Sequence, residues 1–354
     1  MSSVADRARA LVSREAARVR VLPPRFAAPL AHLTVPAPRW SMVERACARP
    51  APGALAPSLI MLDLEDGIPE GDDALLRAGR DNVVRALREL DWGGALRFFR
   101  PRGLALDPEF EDVRDVVARA GSRLEGLVLP KVEHPDEVKL LDEVLTDLER
   151  THALASGDIR VHVLVESVAA EERAFELAVA APRVAGLVLG AFDYWSTLRM
   201  PPSAYRFDHP ALVAVRARIV KAAAFAGLPA FAEMTSSFPT KDKSDAERAL
   251  AIETCRAHAA LARDLGMRGK WIGHPAQLAP VLESFAPSRA AIDASVAYLR
   301  AFADAKQRGL GAVMIDDHMA DRATARMHEV TLTAAHAAGL LGDDVARELL
   351  ALRT

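Results

Sequence analysis

The sequence predicts an α/β protein, a (β/α)8 or TIM barrel with an N-terminal helix and a C-terminal helical extension. Three observations predict it. Eight short apolar runs recur along the chain. The segments between them carry helical period. Polar residues gather at the ends of the runs. Runs of this length bounded by turn residues read as buried strands. Strands alternating with helices imply parallel strands and right-handed crossovers. Eight such units are the number that closes a barrel.

The chain opens with an Arg-rich helical stretch, broken by Pro23 and Pro24. It has no apolar region of the secretory kind, and Asp6 and Glu15 interrupt its positive charge, so it reads as an ordinary helix. The eight runs follow at 31–36, 58–66, 95–102, 126–133, 160–167, 186–193, 228–234 and 269–275. Between them, Leu76, Val83, Leu87 and Leu90 fall on one helical stripe, as do Val138, Leu141, Leu145 and Leu148. After Phe285 the pattern changes. Residues 288–309 read as a long helix stopping near Gly309, 311–324 as a short strand or extended loop, and the rest as two helices. The expected divisions are 1–30, an N-terminal helical extension; 31–286, the barrel; and 287–354, a C-terminal extension or lid. A doubly wound open sheet is the rival, but its Gly-rich nucleotide fingerprint is missing.

Composition narrows the function. The 354 residues are 51% hydrophobic and 26% charged, with a net charge of -3. That balance excludes a disordered polyampholyte and argues against a nucleic-acid binder. Two cysteines, Cys47 and Cys255, exclude a disulfide scaffold and a Cys-rich zinc site, and fit a reducing, cytoplasmic setting. No apolar run reaches membrane-spanning length.

In such barrels the active site lies at the C-terminal ends of the strands. Those ends carry Asp63, Glu65 and Asp66; Arg100 and Arg102; Lys131 and Glu133; Glu166; Asp193; Glu233; and His274. Glu166 and Asp193, on neighbouring strands, are the best pair for a hard cation such as Mg²⁺ or Mn²⁺. Either acid could instead face the N-terminus of the next helix. Arg100 could stabilise an oxyanion or enolate, or bridge to Glu65 or Asp66. Lys131 could form a Schiff base or pair with a rim acid. His274 could bind substrate or serve as a hydrogen-bonded structural residue. No serine-hydrolase elbow and no H-E-x-x-H spacing occur.

These strand ends spell recognisable motifs. LDLEDG (62–67), RPRG (100–103), LPKVE (129–133), VES (165–167), GAFDYWST (190–197), GMRGKWIGHP (266–275) and FAPS (285–288) stand in order. With them the chain resembles the citrate lyase beta-chain and malyl-CoA lyase family, of the aldolase/citrate lyase superfamily of phosphoenolpyruvate/pyruvate-type TIM barrels. The resemblance implies Mg²⁺ on Glu166 and Asp193, Arg100 at the enolate oxygen, and Glu65 and Asp66 ordering metal-bound waters and the Arg. It also implies a homotrimer or hexamer in which the C-terminal segment brings an acid, Asp316, to a neighbour's site.

Some pieces depart from the family pattern. The loop after the first strand reads VPAPRWS, with Ala37 where the family has a glycine that approaches phosphate. Arg39 and Arg45 are the expected compensating contacts to a coenzyme A (CoA) thioester. The turn ESVAA, the stretch AEMTSSFPTKDKSD, and Asp317 and His318 also differ. The expected function is a Mg²⁺-dependent carbon–carbon lyase of the Claisen or retro-aldol type. It would split a 3-hydroxyacyl-CoA such as malyl-CoA or citramalyl-CoA into an acyl-CoA and a 2-oxo acid. Two alternatives stand beside it: a metal-dependent aldolase of free 4-hydroxy-2-oxo acids, and a non-catalytic barrel subunit.

Overall fold

The computed structural model describes residues 3–7, 9, 12, 13, 19–51, 53–309, 313–315 and 318–350. Eight parallel strands close into one barrel in chain order. They are β1 (Ala31–Pro36), β2 (Leu59–Asp63), β3 (Leu96–Arg100), β4 (Gly126–Leu129), β5 (Arg160–Val165), β6 (Val184–Leu189), β7 (Ala230–Ala232) and β8 (Gly269–Ile272). Each lies within one of the eight apolar runs. The chain is therefore a (β/α)8 barrel, as its sequence predicts.

The helices are α1 (Pro24–Ala27), α2 (Trp40–Ala46), α3 (Asp73–Glu89), α4 (Glu111–Ala120), α5 (Pro135–Thr151), α6 (Val168–Glu172), α7 (Ala174–Val179), α8 (Ala191–Thr197), α9 (Pro210–Phe225), α10 (Asp245–Asp264) and α11 (Leu278–Phe285). Local chemistry sets several starts. Asp72 caps α3 by accepting from the Leu75 amide. His134 with Glu137, and Ser244 with Glu247, form reciprocal capping boxes on α5 and α10. The apolar stripes read from the sequence face inward: Leu76, Val83 and Leu87 on α3, and Val138, Leu141, Leu145 and Leu148 on α5, are all buried.

Alternate strands fill the barrel floor. His32, Phe98, His162 and Phe231, from β1, β3, β5 and β7, form one layer. Ring centroids lie 4.4 Å apart for His32 and Phe231, and 4.8 Å for Phe98 and His162. Glycines make the room. A Cβ on Gly126 of β4 would sit 2.3 Å from Phe98, and one on Gly186 of β6 would sit 2.6 Å from Phe231. Burial holds both imidazoles neutral, pushing His32 down to about 3 and His162 well below the usual histidine range.

The C-terminal extension comprises α12 (Arg289–Gln307), α13 (Arg322–Ala337) and α14 (Asp343–Leu350), with a two-stranded antiparallel pair, β9 (Val313–Ile315) and β10 (His318–Ala320). Gly309, at φ +78°, follows α12 where the sequence predicts the stop. Ile292, Tyr298, Leu299, Leu332 and Leu349 build a small core separate from that of the barrel. α13 also packs against α1. Among the described residues no helix is long and apolar enough to cross a membrane.

Candidate active site

The strand ends bring a charged cluster together, starting from β2 and β3. Their parallel register sets Asp63 beside Arg100, so both side chains leave the sheet on the same side. Asp63 grips Arg100 with two hydrogen bonds, Nε to Oδ1 and NH2 to Oδ2, each 2.7 Å. NH2 also donates to Asp66 Oδ2 at 2.8 Å. Glu65 Oε2 lies 2.8 Å from NH1, an ion pair that is not aligned as a hydrogen bond. Arg100 is nearly buried, and these acids hold it firmly charged against the cost of burial. Of the guanidinium's five N–H groups, the hydrogen bonds to Asp63 and Asp66 engage three. The two on NH1 remain as donors.

The second half of the cluster comes from β4, β5 and β6. Glu166 follows β5 and Asp193 lies in the first turn of α8, after β6. Lys131 joins them, with its Nζ 2.9 Å from Asp193, 3.4 Å from Glu65 and 3.5 Å from Glu166. Its backbone is left-handed, at φ +55°, an uncommon state for a non-glycine residue. In that conformation its amide donates to Glu166 Oε1 at 2.6 Å. Burial alone would lower the Lys131 pKa, but the charges of Glu166, Glu65 and Asp193 outweigh it and hold the amine above the ordinary lysine range. Such an ammonium is a poor Schiff-base nucleophile, so the ion-pair role is the one this geometry suits.

Glu166 is buried, and burial pushes its pKa up to about 8, with Lys131 opposing and Glu65 adding. Glu65 is raised to about 6, again chiefly by burial, with Arg100 opposing. Buried carboxylates of this kind need a nearby positive charge to stay ionised.

The donor set suits a hard cation. Glu166 and Asp193 offer only oxygen, and no histidine or cysteine is beside them in this cluster. Among the described residues no group of three or more metal-ligating side chains forms. A pair of carboxylates matches Mg²⁺, which keeps several waters and takes one or two protein acids. The space for Glu166 depends on Gly190, where a Cβ would come within 2.5 Å of the Glu166 Cβ and 2.8 Å of Oε2. Ser167, not Glu166, caps α6. Asp193 lies in the first turn of α8 without capping it, a position the helix dipole favours for an acid and one compatible with the metal reading.

Residues 43–275 match the family described as HpcH/HpaI aldolase/citrate lyase. The chain belongs to this family. An L-malyl-CoA/beta-methylmalyl-CoA lyase of Cereibacter sphaeroides is 31% identical over 291 residues, which cover 78% of this chain and 87% of that protein. A citrate lyase of Burkholderia xenovorans superposes with a TM-score of 0.70 at 23% identity, over 93% of this chain and all of its own. The protein CitE of Mycobacterium tuberculosis, solved with magnesium and acetoacetate, gives a TM-score of 0.55 at 25% identity, over 75% of this chain and 94% of its own. The expectation of a lyase in this family agrees with the named relatives.

Within this family member, the structure does not gather every strand-end residue expected to converge. Arg102 turns to Asp112 and Asp107. Glu133 is exposed, and its amide pairs with Glu137. Glu233 faces away from the cluster, toward Arg216 on α9 and His258 on α10. His274 Nδ1 accepts from the Ala276 amide, and its side lines a separate cavity of about 570 Å³. Arg45 lines that cavity too, while Arg39 is exposed and outside the lining. Asp316 lies outside the described residues.

Three contributions to the cluster were not assigned from the sequence. Asp63, not Glu65 or Asp66, makes the two-pronged grip on Arg100. The signal was available, since both residues close adjacent apolar runs. Gly190 had a weak signal, a glycine ahead of the aspartate. The left-handed backbone at Lys131 had none.

Proposed function

We propose that the chain is a divalent-cation-dependent carbon–carbon lyase of the Claisen or retro-aldol type. It cleaves a 3-hydroxyacyl-CoA such as malyl-CoA or citramalyl-CoA to an acyl-CoA and a 2-oxo acid. The carrying observation is the cluster itself, a guanidinium among three carboxylates beside Glu166 and Asp193. Its closeness to a relative named for malyl-CoA supports the substrate class. A related protein seen with magnesium and acetoacetate supports the cation.

Glu166 and Asp193 would hold Mg²⁺, and Mn²⁺ takes the same ligands. The bound cation supplies Lewis acidity toward the carbonyl of the 2-oxo acid. Asp63 and Asp66 hold Arg100 through Nε and NH2, which leaves NH1 to donate to the oxygen where enolate charge develops. A guanidinium fixed in this way needs little reorganisation as that charge appears. Glu65 and Asp66 keep it charged. The Lys131 amide fixes the direction of Glu166. Asp316 would be the acid or base at the enolate carbon, reaching a neighbour's site in a homotrimer or hexamer, a part of the reading supported by sequence alone. The reading includes a cytoplasmic location.

Arg45, at the cavity along β1, is the candidate contact to CoA, with Arg39 beyond its edge. One observation favours the second reading, an aldolase of free 4-hydroxy-2-oxo acids. The Ala37 amide is already bonded to the Asp63 carbonyl at 3.0 Å, and its own carbonyl accepts from Asn82. This loop therefore offers no free amide at Ala37 to a phosphate.

The test incubates the protein with malyl-CoA, citramalyl-CoA and a free 4-hydroxy-2-oxo acid, with Mg²⁺ or with chelator, and measures the released 2-oxo acid. Chelator-sensitive cleavage of a CoA ester is expected. Cleavage of the free acid alone would transfer the protein to the second reading. Full activity in both Glu166→Gln and Asp193→Asn would overturn the cation assignment.

A further inference from the structure

A cavity of about 490 Å³ opens at the opposite end of the barrel from the charged cluster. Its lining comes from the segment ahead of β1, the turn ahead of β7, Arg268 just ahead of β8, and one face of α13. Leu22, Leu228 and Val330 supply apolar wall. Three arginines, Arg20, Arg268 and Arg326, supply charge, and Glu329 is the one acid in the lining among the described residues.

Arg20 and Arg268 have no carboxylate partner among the described residues, while Arg326 acts on the Asp321 carboxylate at the start of α13. Arg20 spends its guanidinium on the carbonyls of Ala178, at 2.5 Å, and Ala181, at 2.7 Å. The Nε of Arg326 donates to the Arg322 carbonyl. Arg268 is half-buried and its guanidinium has no hydrogen bond or ion pair among the described residues. Burial lowers its pKa and no acid acts in the other direction. An unpaired, desolvated guanidinium weakens a fold, and its five donors match carboxylate or phosphate oxygens.

We infer that this cavity binds an anion carried on an apolar body, an organic carboxylate or phosphate. The arginines take the charged head and the Leu22, Leu228 and Val330 wall takes the body. Because α13 forms one side, the ligand joins the C-terminal extension to the base of the barrel. The site is independent of the lyase reading, which concerns the other end of the strands.

The experiment is titration calorimetry with inorganic phosphate, hexyl phosphate and hexanoate at fixed ionic strength. Saturable binding of at least one hexyl compound is expected, tighter than inorganic phosphate. Preference between the two hexyl compounds identifies the head group. Arg268→Gln should weaken binding about tenfold or more, the loss of a charge-assisted contact. Glu166→Gln should bind as the parent does, which separates this cavity from the rim. In anion-free buffer Arg268→Met should raise Tm by a few degrees, because an unpaired charge has been removed. Absence of saturable binding, binding unchanged in Arg268→Gln, or a lowered Tm in Arg268→Met would each overturn the inference.

Discussion

Two buried charged clusters sit at the C-terminal ends of strands, and they differ in how closed they are. At β2 to β6, Arg100, Asp63, Glu65 and Glu166 are buried, but the side chains of Asp66, Asp193 and Lys131 are 62%, 47% and 38% exposed. Outside the barrel wall at β7 and β8, Arg216, Glu233, His258 and Lys270 are all 2% exposed or less. Glu233 accepts from Arg216 and from His258 Nε2, at 3.2 Å and 3.0 Å. Lys270 and Thr235 satisfy the other imidazole nitrogen. Burial, with help from Lys270, lowers His258 to about 4 and so keeps it neutral. Every charge in the closed cluster has an internal partner. The open cluster instead leaves NH1 of Arg100 with an ion pair but no aligned hydrogen bond, and exposes the carboxylates of Asp66 and Asp193. The first arrangement fixes helices to the wall, and the second can exchange partners with a substrate or cation.

The largest effect is expected from breaking the closed cluster. Glu233→Gln leaves Arg216 buried without a counter-charge and should cost about 3–5 kcal/mol in urea unfolding. Burial alone would raise the Glu233 pKa, but His258 and Arg216 outweigh it and hold it below the carboxylate range. Its contribution is therefore present above the unfolded carboxylate pKa and is lost as pH falls. The gap between parent and variant should narrow in acid. A gap that widens below pH 4.5 would contradict the assignment.

Arg100→Lys tests the open cluster. It keeps a charge but not the fork, so kcat for release of the 2-oxo acid should fall by about 10²–10³. The stability loss should be smaller than for Glu233→Gln. The reverse ranking would make the open cluster merely structural.

A subtler effect separates the clusters by pH. Glu166, raised to about 8, binds a proton in the folded state that the unfolded chain releases near 4.5. Between those values the folded state holds more protons, so cation-free protein should lose stability as pH rises. Glu166→Gln should flatten that slope in a Tm series, and an unchanged slope would sink this account.

The smallest effect is expected on the barrel floor. His162 is buried, neutral, and has no partner for either ring nitrogen among the described residues. His162→Phe should leave unfolding free energy within about 1 kcal/mol or raise it, since removing an unpaired polar group is nearly neutral. A loss matching Glu233→Gln would show that burial, not charge, separates the clusters.

Much of this was legible in the sequence because strand and helix periods are local. The eight runs, the stripes on α3 and α5, and the stop at Gly309 follow from continuous apolar stretches bounded by turn residues, from spacing of three or four, and from glycine's backbone freedom. Arg100, Glu166 and Asp193 were legible as polar ends of apolar strands. The direction of each end was not, because alternation stops where the chain leaves the sheet. Glu166 turns into the cluster through the left-handed Lys131 amide and the space at Gly190. Glu233 turns outward to Arg216 on α9, 17 residues earlier in the chain. By itself the sequence determined the strand count, the order of the units and the chemistry available at the rim, since these depend on neighbours along the chain. Tertiary structure alone decided the grip of Asp63 on Arg100, the closing of the Glu233 cluster and the unpaired Arg268. Each depends on the register of a closed barrel and on helices that meet only when it closes.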